Sequence, residues 1–325
     1  MEPNFDILEF EQPLAELEIE LRDFIARNPQ DSAKQRQRAF GLKRKLIKKA
    51  QLIFAKLPAY QTVQLARHPQ RPHFLDYVPK VFDDFDELDG DRFSGRGKTI
   101  RGGLATISGK SVVVIGIEKG RKIDEKIRAN FGMPQPTDYR KANRLMLLAE
   151  RFQLPLLTFI DTPGAAPGVE AEEGNQSAAI AENISTLSCL RVPIVSIILG
   201  EGGSGGALAL ALSDRLLMLE HSIYSVISPE GCATILYRDA DKTAIAAESL
   251  RLSTSDLVKL GIVDKIIPEP LGGAHRNPKK IGGRVRLSIL AALDDLQRIP
   301  LEELRNERYQ KYISIGREDY RKKIS

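Results

Sequence analysis

The sequence has no tryptophan and few of the residues on which several protein classes depend. Its two cysteines, Cys189 and Cys232, belong to no Cys-x-x-Cys pair, so we expect no disulfide framework and no metal site built from this chain alone. No apolar stretch approaches the roughly 20 residues of a membrane span, and we expect no membrane partner. Residues 1–6 are acidic and have no signal-peptide pattern, so the sequence predicts a cytoplasmic protein.

What the sequence does contain is typical of a folded globular chain. Its 325 residues, 42% hydrophobic and 28% charged, are enough for a large core and one or two domains. The net charge is +5, and basic residues form short runs such as Lys119, Arg121 and Lys122. Such a run is either a solvated face or a surface for anionic partners. We expect no nucleic-acid partner, because no recognised binding module is present.

The spacing of apolar residues predicts an α/β chain with a helical N-terminal part. Residues 1–60 carry leucine and isoleucine at intervals of three to four, which predicts two helices separated at Asn28-Pro29. From residue 155, apolar strands alternate with helices, as in a parallel sheet covered by helices. The predicted strands are 99–107, 112–117, 155–160, 193–199, 215–219, 224–227 and 262–267. The later predicted helices are 121–129, 138–152, 174–188, 205–212, 229–236, 241–249, 255–260, 279–297 and 301–315.

Two glycine-rich turns are predicted, each directly after an apolar strand. The first glycine segment is residues 159–168, FIDTPGAAPG, and the second is residues 199–208, LGEGGSGGAL. Glycine lets another molecule approach the backbone closely. A helix is predicted to begin near Gly205, and the first N–H groups of a helix have no partner within it. The two segments therefore indicate catalysis by backbone donors that stabilise an anion.

Other motifs keep rival interpretations open at this point. Residues 200–205 match the dinucleotide pattern G-x-G-x-x-G, with Glu220 at the expected distance, although this leaves the first glycine segment without a role. The P-loop pattern fails because Ala207 stands where lysine is required. The letters around Ser204 match a nucleophile elbow, with His221 and His275 downstream as candidate bases of a hydrolase.

Taken together, several stretches resemble the carboxyltransferase α subunits of multi-subunit acetyl-CoA carboxylase, found in bacteria and plastids. The matching stretches are residues 10–17, 65–72, 85–92, 130–134, 159–168, 200–208, 224–233 and 267–278. The resemblance implies an α/β fold, a crotonase-like superhelix of ββα units with an N-terminal helical extension. It also implies three parts: a helical extension over 1–90, a crotonase-like CoA carboxyltransferase domain over 91–298, and a C-terminal helix with a basic tail over 299–325.

The same resemblance implies that this chain is one subunit of an enzyme and is active only with a partner subunit. The family moves a carboxyl group from carboxybiotin, held on a biotin carboxyl carrier protein, to acetyl-CoA, giving malonyl-CoA for fatty acid synthesis. The implied partners are a zinc-containing β subunit in an α2β2 assembly, the carrier, and a biotin carboxylase that alone uses ATP. A stand-alone crotonase-type acyl-CoA hydratase or decarboxylase, a dinucleotide-binding oxidoreductase and a non-catalytic scaffold remain the alternatives.

Site residues follow from the resemblance by position. The implied catalytic residues are Gly205 and Gly206, whose N–H groups would stabilise the ureido oxygen of biotin. The implied biotin-binding residues are Gly164, Ala165, Gly203 and Ser204, and no metal is expected. Lys119, Arg121 and Lys122 are candidates to meet the phosphates of CoA or the carrier. The chain departs from the family at Ala166, where an aromatic residue is usual, and at Glu118.

Overall fold

The computed structural model describes residues 7–27, 32–93 and 95–316. These residues form α-helices that cover a mostly parallel sheet, as the sequence predicts. The α-helices are α1 Gln12–Arg27, α2 Ala33–Phe54, α3 Ala59–Ala66, α4 Phe74–Val81, α5 Ile123–Arg128, α6 Pro136–Arg151, α7 Val169–Glu173, α8 Gln176–Cys189, α9 Ser204–Ala211, α10 Pro229–Cys232, α11 Thr243–Leu250, α12 Thr254–Lys259, α13 Pro278–Leu296 and α14 Leu301–Ser314. Within the described ranges, no helix is both long and apolar enough to cross a membrane.

One eight-stranded sheet forms the centre of the molecule. Its strands are β1 Asp84–Glu87, β2 Ile100–Ile107, β3 Lys110–Ile117, β4 Leu156–Thr162, β5 Ile194–Gly203, β6 Arg215–Leu219, β7 Ile223–Ser225 and β8 Lys265–Ile267. They are ordered β1-β2-β3-β4-β5-β6-β8, with β7 paired to β5. Strand β2 is antiparallel to both of its neighbours, β1 and β3, and the pairs from β3 to β8 are parallel. Parallel neighbours bring the carboxyl ends of β4 and β5 to the same edge.

Two apolar cores lie on opposite faces of this sheet. Alternate side chains of β3 enter different cores, with Val113 and Ile115 on one face and Val112 and Val114 on the other. The first core is completed by α6, α8 and α9, and the second by α4 and α13. Burial of one such aliphatic side chain contributes about 1.5–3 kcal/mol, so the two cores hold β4 and β5 firmly in the sheet.

The N-terminal residues form a helical hairpin in which α1 packs on α2. Helix α2 begins with a capping box, in which the Ser32 hydroxyl accepts from the Gln35 amide and the Gln35 side chain accepts from the Ser32 amide. The predicted break at Asn28-Pro29 and the basic tail from residue 317 lie outside the described residues. The sheet begins at Asp84, before the predicted boundary at residue 90, and the division into three parts stays a prediction.

Three sequence predictions are corrected by the fold. Strand β1 was not predicted, since its residues are charged and mostly exposed. Residues 229–236 form a four-residue helix followed by a π-helical turn, Ala233–Tyr237. The second glycine segment is not a turn at its start, because β5 continues through Gly203. Residues 201–203 pair with β7, and Gly202 also pairs with Thr162 of β4, so both sides of this stretch are held as strand.

Candidate active site

The two glycine segments lie side by side at the carboxyl edge of the sheet. Strand β4 ends at Thr162 and its parallel neighbour β5 ends at Gly203. Helix α9 begins at the next residue, Ser204, whose φ of 51° turns the chain sharply from strand to helix. In sheets with parallel strands this edge is where ligands bind.

Close backbone packing joins the two segments. A β-carbon built on Gly203 would overlap the carbonyl of Pro163, and one on Gly206 would lie 2.5 Å from the amide nitrogen of Ala165. Real β-carbons do not approach other atoms this closely, so both positions require glycine. Gly205 differs, since its nearest neighbour would be a methyl group of Ile180 at 3.8 Å.

The amides of Gly205 and Gly206 belong to the first turn of α9. The first N–H groups of an α-helix have no acceptor within the helix. In the part of the chain that the structure describes, neither amide donates to a group outside the helix. The positive end of the helix dipole lies at the same place. The sequence predicted these two residues as donors, and the fold leaves their amides available.

The first glycine segment has its own internal bonds. The hydroxyl of Thr162 donates to the Gly164 carbonyl at 2.7 Å and accepts from the Gly164 amide at 3.0 Å. The Ala166 amide donates to the Pro134 carbonyl at 2.9 Å, and the Gln176 side chain donates to the Ala166 carbonyl at 3.1 Å. Ala166 is buried among these contacts.

An apolar cavity of about 410 Å³ opens beside the start of α9. Ser204 and Gly205 form one wall, and Leu208 and Tyr224 are among the apolar side chains that line the rest. Gly164, Ala165 and Gly203 lie behind this wall, through the packing of the two segments. The structure therefore brings all six predicted glycine-segment residues to one place.

A buried ion cluster, which the sequence analysis missed, lies beneath the two segments. The ammonium of Lys119 lies 2.7 Å from the Asp161 carboxylate and 2.9 Å from that of Glu201. His73 lies 3.2 Å from the second oxygen of Asp161, and Arg67 links Glu201 to Glu230 at the surface. The one available signal was the placement of Asp161 and Glu201, two charged residues inside otherwise apolar strands.

Burial and pairing oppose each other in this cluster. Burial alone would raise the pKa of the Asp161 carboxyl, but Lys119 and His73 outweigh it and hold that pKa well below its usual range. Burial alone would lower the pKa of Lys119, but Asp161 and Glu201 outweigh it and raise that pKa. Both shifts favour the charged forms of the pair.

Two of the three predicted surface cations, Lys119 and Arg121, form ion pairs within the protein. The Lys119 side chain is 15% exposed and points into the cluster, so it is not a free surface cation for phosphates or a carrier. Arg121 pairs with Asp76, and Lys122 is exposed at the start of α5. Glu118 is buried and accepts from the amides of Gly120 and Leu75 at 2.8 and 2.9 Å. It therefore fastens the loop that carries Lys119.

The fold also brings together Glu11, His68 and His275, whose ligand atoms lie within 4.8 Å of one another. The sequence spacing did not predict this cluster. The two imidazole rings are stacked, with centroids 3.8 Å apart and planes only 8° from parallel. A metal ion must lie near the plane of each imidazole that binds it, and nearly parallel stacked planes do not share such a point. Glu11 is moreover paired with Arg276, so the geometry is that of a packed histidine pair.

The rival motifs do not assemble into other active sites. Ser204 has the strained backbone of an elbow, but His221 pairs with Glu269 and His275 stacks on His68. No hydrogen bond joins either histidine to Ser204 among the described residues. In the dinucleotide pattern, residues 200–203 are strand where a turn is required, and Glu220 accepts from the Glu269 amide at 2.8 Å.

Solved structures with a similar fold define the class. Transcarboxylase 12S is similar with a TM-score of 0.57 and 19% identity, over 69% of this chain and 42% of that chain. A Pseudomonas malonate decarboxylase hetero-tetramer in complex with coenzyme A is similar with a TM-score of 0.56 and 19% identity, over 70% of this chain and 89% of that chain. At such identities the likeness shows the fold alone, which is the crotonase-like fold of carboxyltransferases, as the sequence predicted.

Sequence comparison then identifies the family. A family model described as "Acetyl co-enzyme A carboxylase carboxyltransferase-like" matches residues 7–316. The acetyl-coenzyme A carboxylase carboxyl transferase subunit alpha of Escherichia coli (strain K12 / DH10B) is 51% identical over 316 residues, which cover 96% of this chain and 99% of that protein. The same protein of strain O139:H28 matches equally well. The chain belongs to the family of acetyl-coenzyme A carboxylase carboxyl transferase alpha subunits, and it is a carboxyltransferase component.

Proposed function

We propose that this chain helps to transfer the carboxyl group of carboxybiotin to acetyl-CoA, giving malonyl-CoA, and that its part is to stabilise negative charge with the amides of Gly205 and Gly206. The observation that carries the proposal is the start of α9, where Gly206 packs on the first glycine segment and the amides of Gly205 and Gly206 have no acceptor outside the helix among the described residues. Membership of the family supplies the reaction and the identity of the acceptor.

The residues present suit a biotin group. Its ureido oxygen accepts hydrogen bonds, and the rest of the group is largely apolar. The chain offers two amide donors beside an apolar cavity of about 410 Å³, which matches both requirements. We propose that Ser204 and Gly205 line this binding site, and that Gly164 and Ala165, which lie behind this wall, hold it in place. Gly203 contributes by its lack of a side chain, which lets β5 approach Pro163.

When bound, carboxybiotin supplies the carboxyl group that ends on the acetyl carbon. The chain's own contribution is electrostatic. Gly205 and Gly206 donate to an oxygen on which negative charge develops, and the dipole of α9 adds to the attraction. Backbone amides do not titrate in the working range, so these donors act at every pH. The interlocked segments hold the amides in place before the reaction, which avoids reorganisation during it.

We further propose that the site is completed by other chains. A zinc-containing β subunit, assembled with this chain as α2β2, would hold acetyl-CoA, and a biotin carboxyl carrier protein would deliver the carboxyl group. A biotin carboxylase, the component that uses ATP, would recharge the carrier. The support for a second subunit is the designation "subunit alpha" of the relatives. We propose the cytoplasm as the compartment, with two cysteines and no disulfide framework as support.

The decisive experiment removes one amide hydrogen and adds no atom. Glycolic acid, incorporated in place of Gly205 or Gly206 through an altered codon, replaces the N–H with an ester oxygen. Each variant is mixed with the β subunit, carboxybiotin-loaded carrier and acetyl-CoA, and malonyl-CoA is measured. We expect kcat to fall by about 10²–10³ in assembled enzyme, as for other oxyanion donors.

The matched control is the same replacement at Gly41, an exposed position in α2 where no atom lies within 4 Å of a β-carbon built on the glycine. The control should retain activity. Normal turnover with either ester in the second glycine segment would contradict the assignment. The unmodified chain alone should give no product, whereas activity without the β subunit would favour a stand-alone acyl-CoA enzyme.

A further inference from the structure

The ion cluster beneath the glycine segments has no part in the proposed reaction. We refer to its three central members, Asp161, Lys119 and Glu201, as the Asp161 cluster. All three side chains are at most 15% exposed, and they come from the ends of three neighbouring strands, β4, β3 and β5. Burying three charges is costly, and a well-packed apolar set of similar volume is often as stable. The question is therefore what the charges do that apolar residues would not.

The register of the sheet gives the answer. Strands β4 and β5 pair as Ile160 with Ile198, and then as Thr162 with Gly202. One residue of β4 thus stands opposite three residues of β5, and the regular ladder is interrupted there. Asp161 is that residue, and its carboxylate accepts from the Glu201 amide at 2.9 Å. The side chain therefore supplies an acceptor at the interruption.

Gly200 shows how closely the carboxylate fills this interruption. A β-carbon at position 200 would lie 2.7 Å from the Asp161 oxygen. The ammonium of Lys119 forms an ion pair with the same oxygen and a second ion pair with the Glu201 carboxylate. Backbone and side chain of Glu201 are thus both tied to Asp161, one directly and one through Lys119. The chain between this anchor and the donors at Gly205 and Gly206 is short.

We propose that Asp161 and Lys119 are positioning residues. They hold the bulge of β5, the stretch at residues 199–201 where the ladder is interrupted, so that the amides of Gly205 and Gly206 lie where they can donate. This inference rests on the proposed function of those two amides. Neither side chain lines the cavity beside the start of α9. The effect of changing them is expected on kcat, with the KM for acetyl-CoA unchanged, because the amides act on charge that develops in the transition state.

A pH profile separates this role from simple stabilisation. In the Lys119→Met variant, methionine fills the space of the aliphatic part of the lysine side chain. Asp161 stays buried but loses its ammonium partner. Its pKa then rises, because burial disfavours a charged carboxyl and the largest opposing interaction is gone. The charged and titratable groups that face Asp161 are His73, Arg71, Tyr77, Lys119 and Glu201. Protonated Asp161 loses one acceptor oxygen, so the bulge loosens as the pH falls.

We expect the assembled K119M enzyme to lose kcat by about tenfold or more as the pH falls from about 8 to about 6, while the unchanged enzyme shows no such loss from Asp161. The double variant K119M/D161N should no longer show this acid-side loss, because asparagine does not titrate. Lys110→Met is the matched control, since Lys110 forms an exposed ion pair with Asp294 far along the chain, and its profile should equal that of the unchanged enzyme.

An unchanged K119M profile, or an acid-side loss that persists in the double variant, would overturn the inference. Should K119M fail to assemble, hydrogen exchange on the isosteric variant Asp161→Asn decides the matter. Amides 201–203, which are held by strand pairing and by the Asp161 carboxylate, should exchange at least tenfold faster while the two cores stay protected, and unchanged exchange would equally overturn it. Failure of the proposed function looks different, since the unchanged enzyme with its β subunit would then make no malonyl-CoA.

Discussion

Gly206 packs on Ala165 so closely that a β-carbon at position 206 would lie 2.5 Å from the Ala165 amide nitrogen. Its neighbour Gly205 has room for a β-carbon, with a methyl group of Ile180 as the closest atom at 3.8 Å. Of the two glycines that share a proposed chemical role, only Gly206 is thus required by packing. A side chain at position 206 would move the first glycine segment, so such a substitution changes the packing and not the amide alone.

The matched pair Gly205→Ala and Gly206→Ala tests this difference. We expect G206A to destabilise the chain by about 1–3 kcal/mol, the usual cost of overpacking, and to lose most of its transferase activity. G205A should be as stable as the unchanged chain or more stable by up to about 1 kcal/mol, because alanine favours helix. Urea unfolding of each variant measures both effects. A G206A protein of unchanged stability would show that the segments do not interlock as described.

Much of this arrangement follows from local sequence patterns. The strand and helix alternation is local, and so is the placement of glycine after the apolar residues of β4 and β5. The same patterns predicted that α9 begins near Gly205, which is confirmed at Ser204. Periodicity gives the order of elements because each element buries one face, and that constraint is visible in a window of about ten residues.

The Asp161 cluster could not be predicted in the same way. Its members lie far apart along the chain, and they meet only because β3, β4 and β5 are neighbours in the sheet. From the sequence alone, Asp161 could cap a turn and Lys119 could lie on a solvated surface, and nothing in the local pattern favoured the buried cluster over these roles. The extension of β5 through Gly203 was missed for a related reason, since it depends on pairing with β7, a strand of three residues. Long-range pairing leaves little trace in the local pattern.

Arg308 fastens α14 to the rest of the molecule and is buried together with Asp214. Its guanidinium donates to both Asp214 oxygens at 2.7 and 2.9 Å and to three backbone carbonyls, those of residues 187, 190 and 192. We expect Arg308→Met to cost about 3–5 kcal/mol in the free energy of unfolding, because it leaves a buried carboxylate without its partner. Arg305→Met, at an exposed pair on the same helix, should stay within about 0.5 kcal/mol. Equal stability of the two variants would refute a structural role for Arg308.

Two buried groups should divide the acid denaturation of this protein into separate pH ranges. Burial, with His68 and Arg276 nearby, lowers the pKa of His275 from 6.5 to about 3. Burial alone would raise the pKa of Glu269, but Arg71 and His221 outweigh it and lower that pKa from 4.5 to about 2. Each group binds its proton more weakly in the folded state. The stability that each contributes is therefore complete above its unfolded pKa and is lost as the pH falls toward its folded pKa.

The His275 contribution is consequently lost from about pH 6.5 downward, whereas that of Glu269 is lost only below about pH 4.5. Between these two values the free energy of unfolding should fall by about 2–3 kcal/mol through His275, at about 1.4 kcal/mol per pH unit. His275→Gln should flatten the stability curve in that range and leave the steeper fall below pH 4.5. Glu269→Gln, although less stable at every pH, should keep the upper slope and lose part of the lower one. Urea unfolding at a series of pH values measures both slopes, and an unaltered upper slope in H275Q would show that another group is responsible.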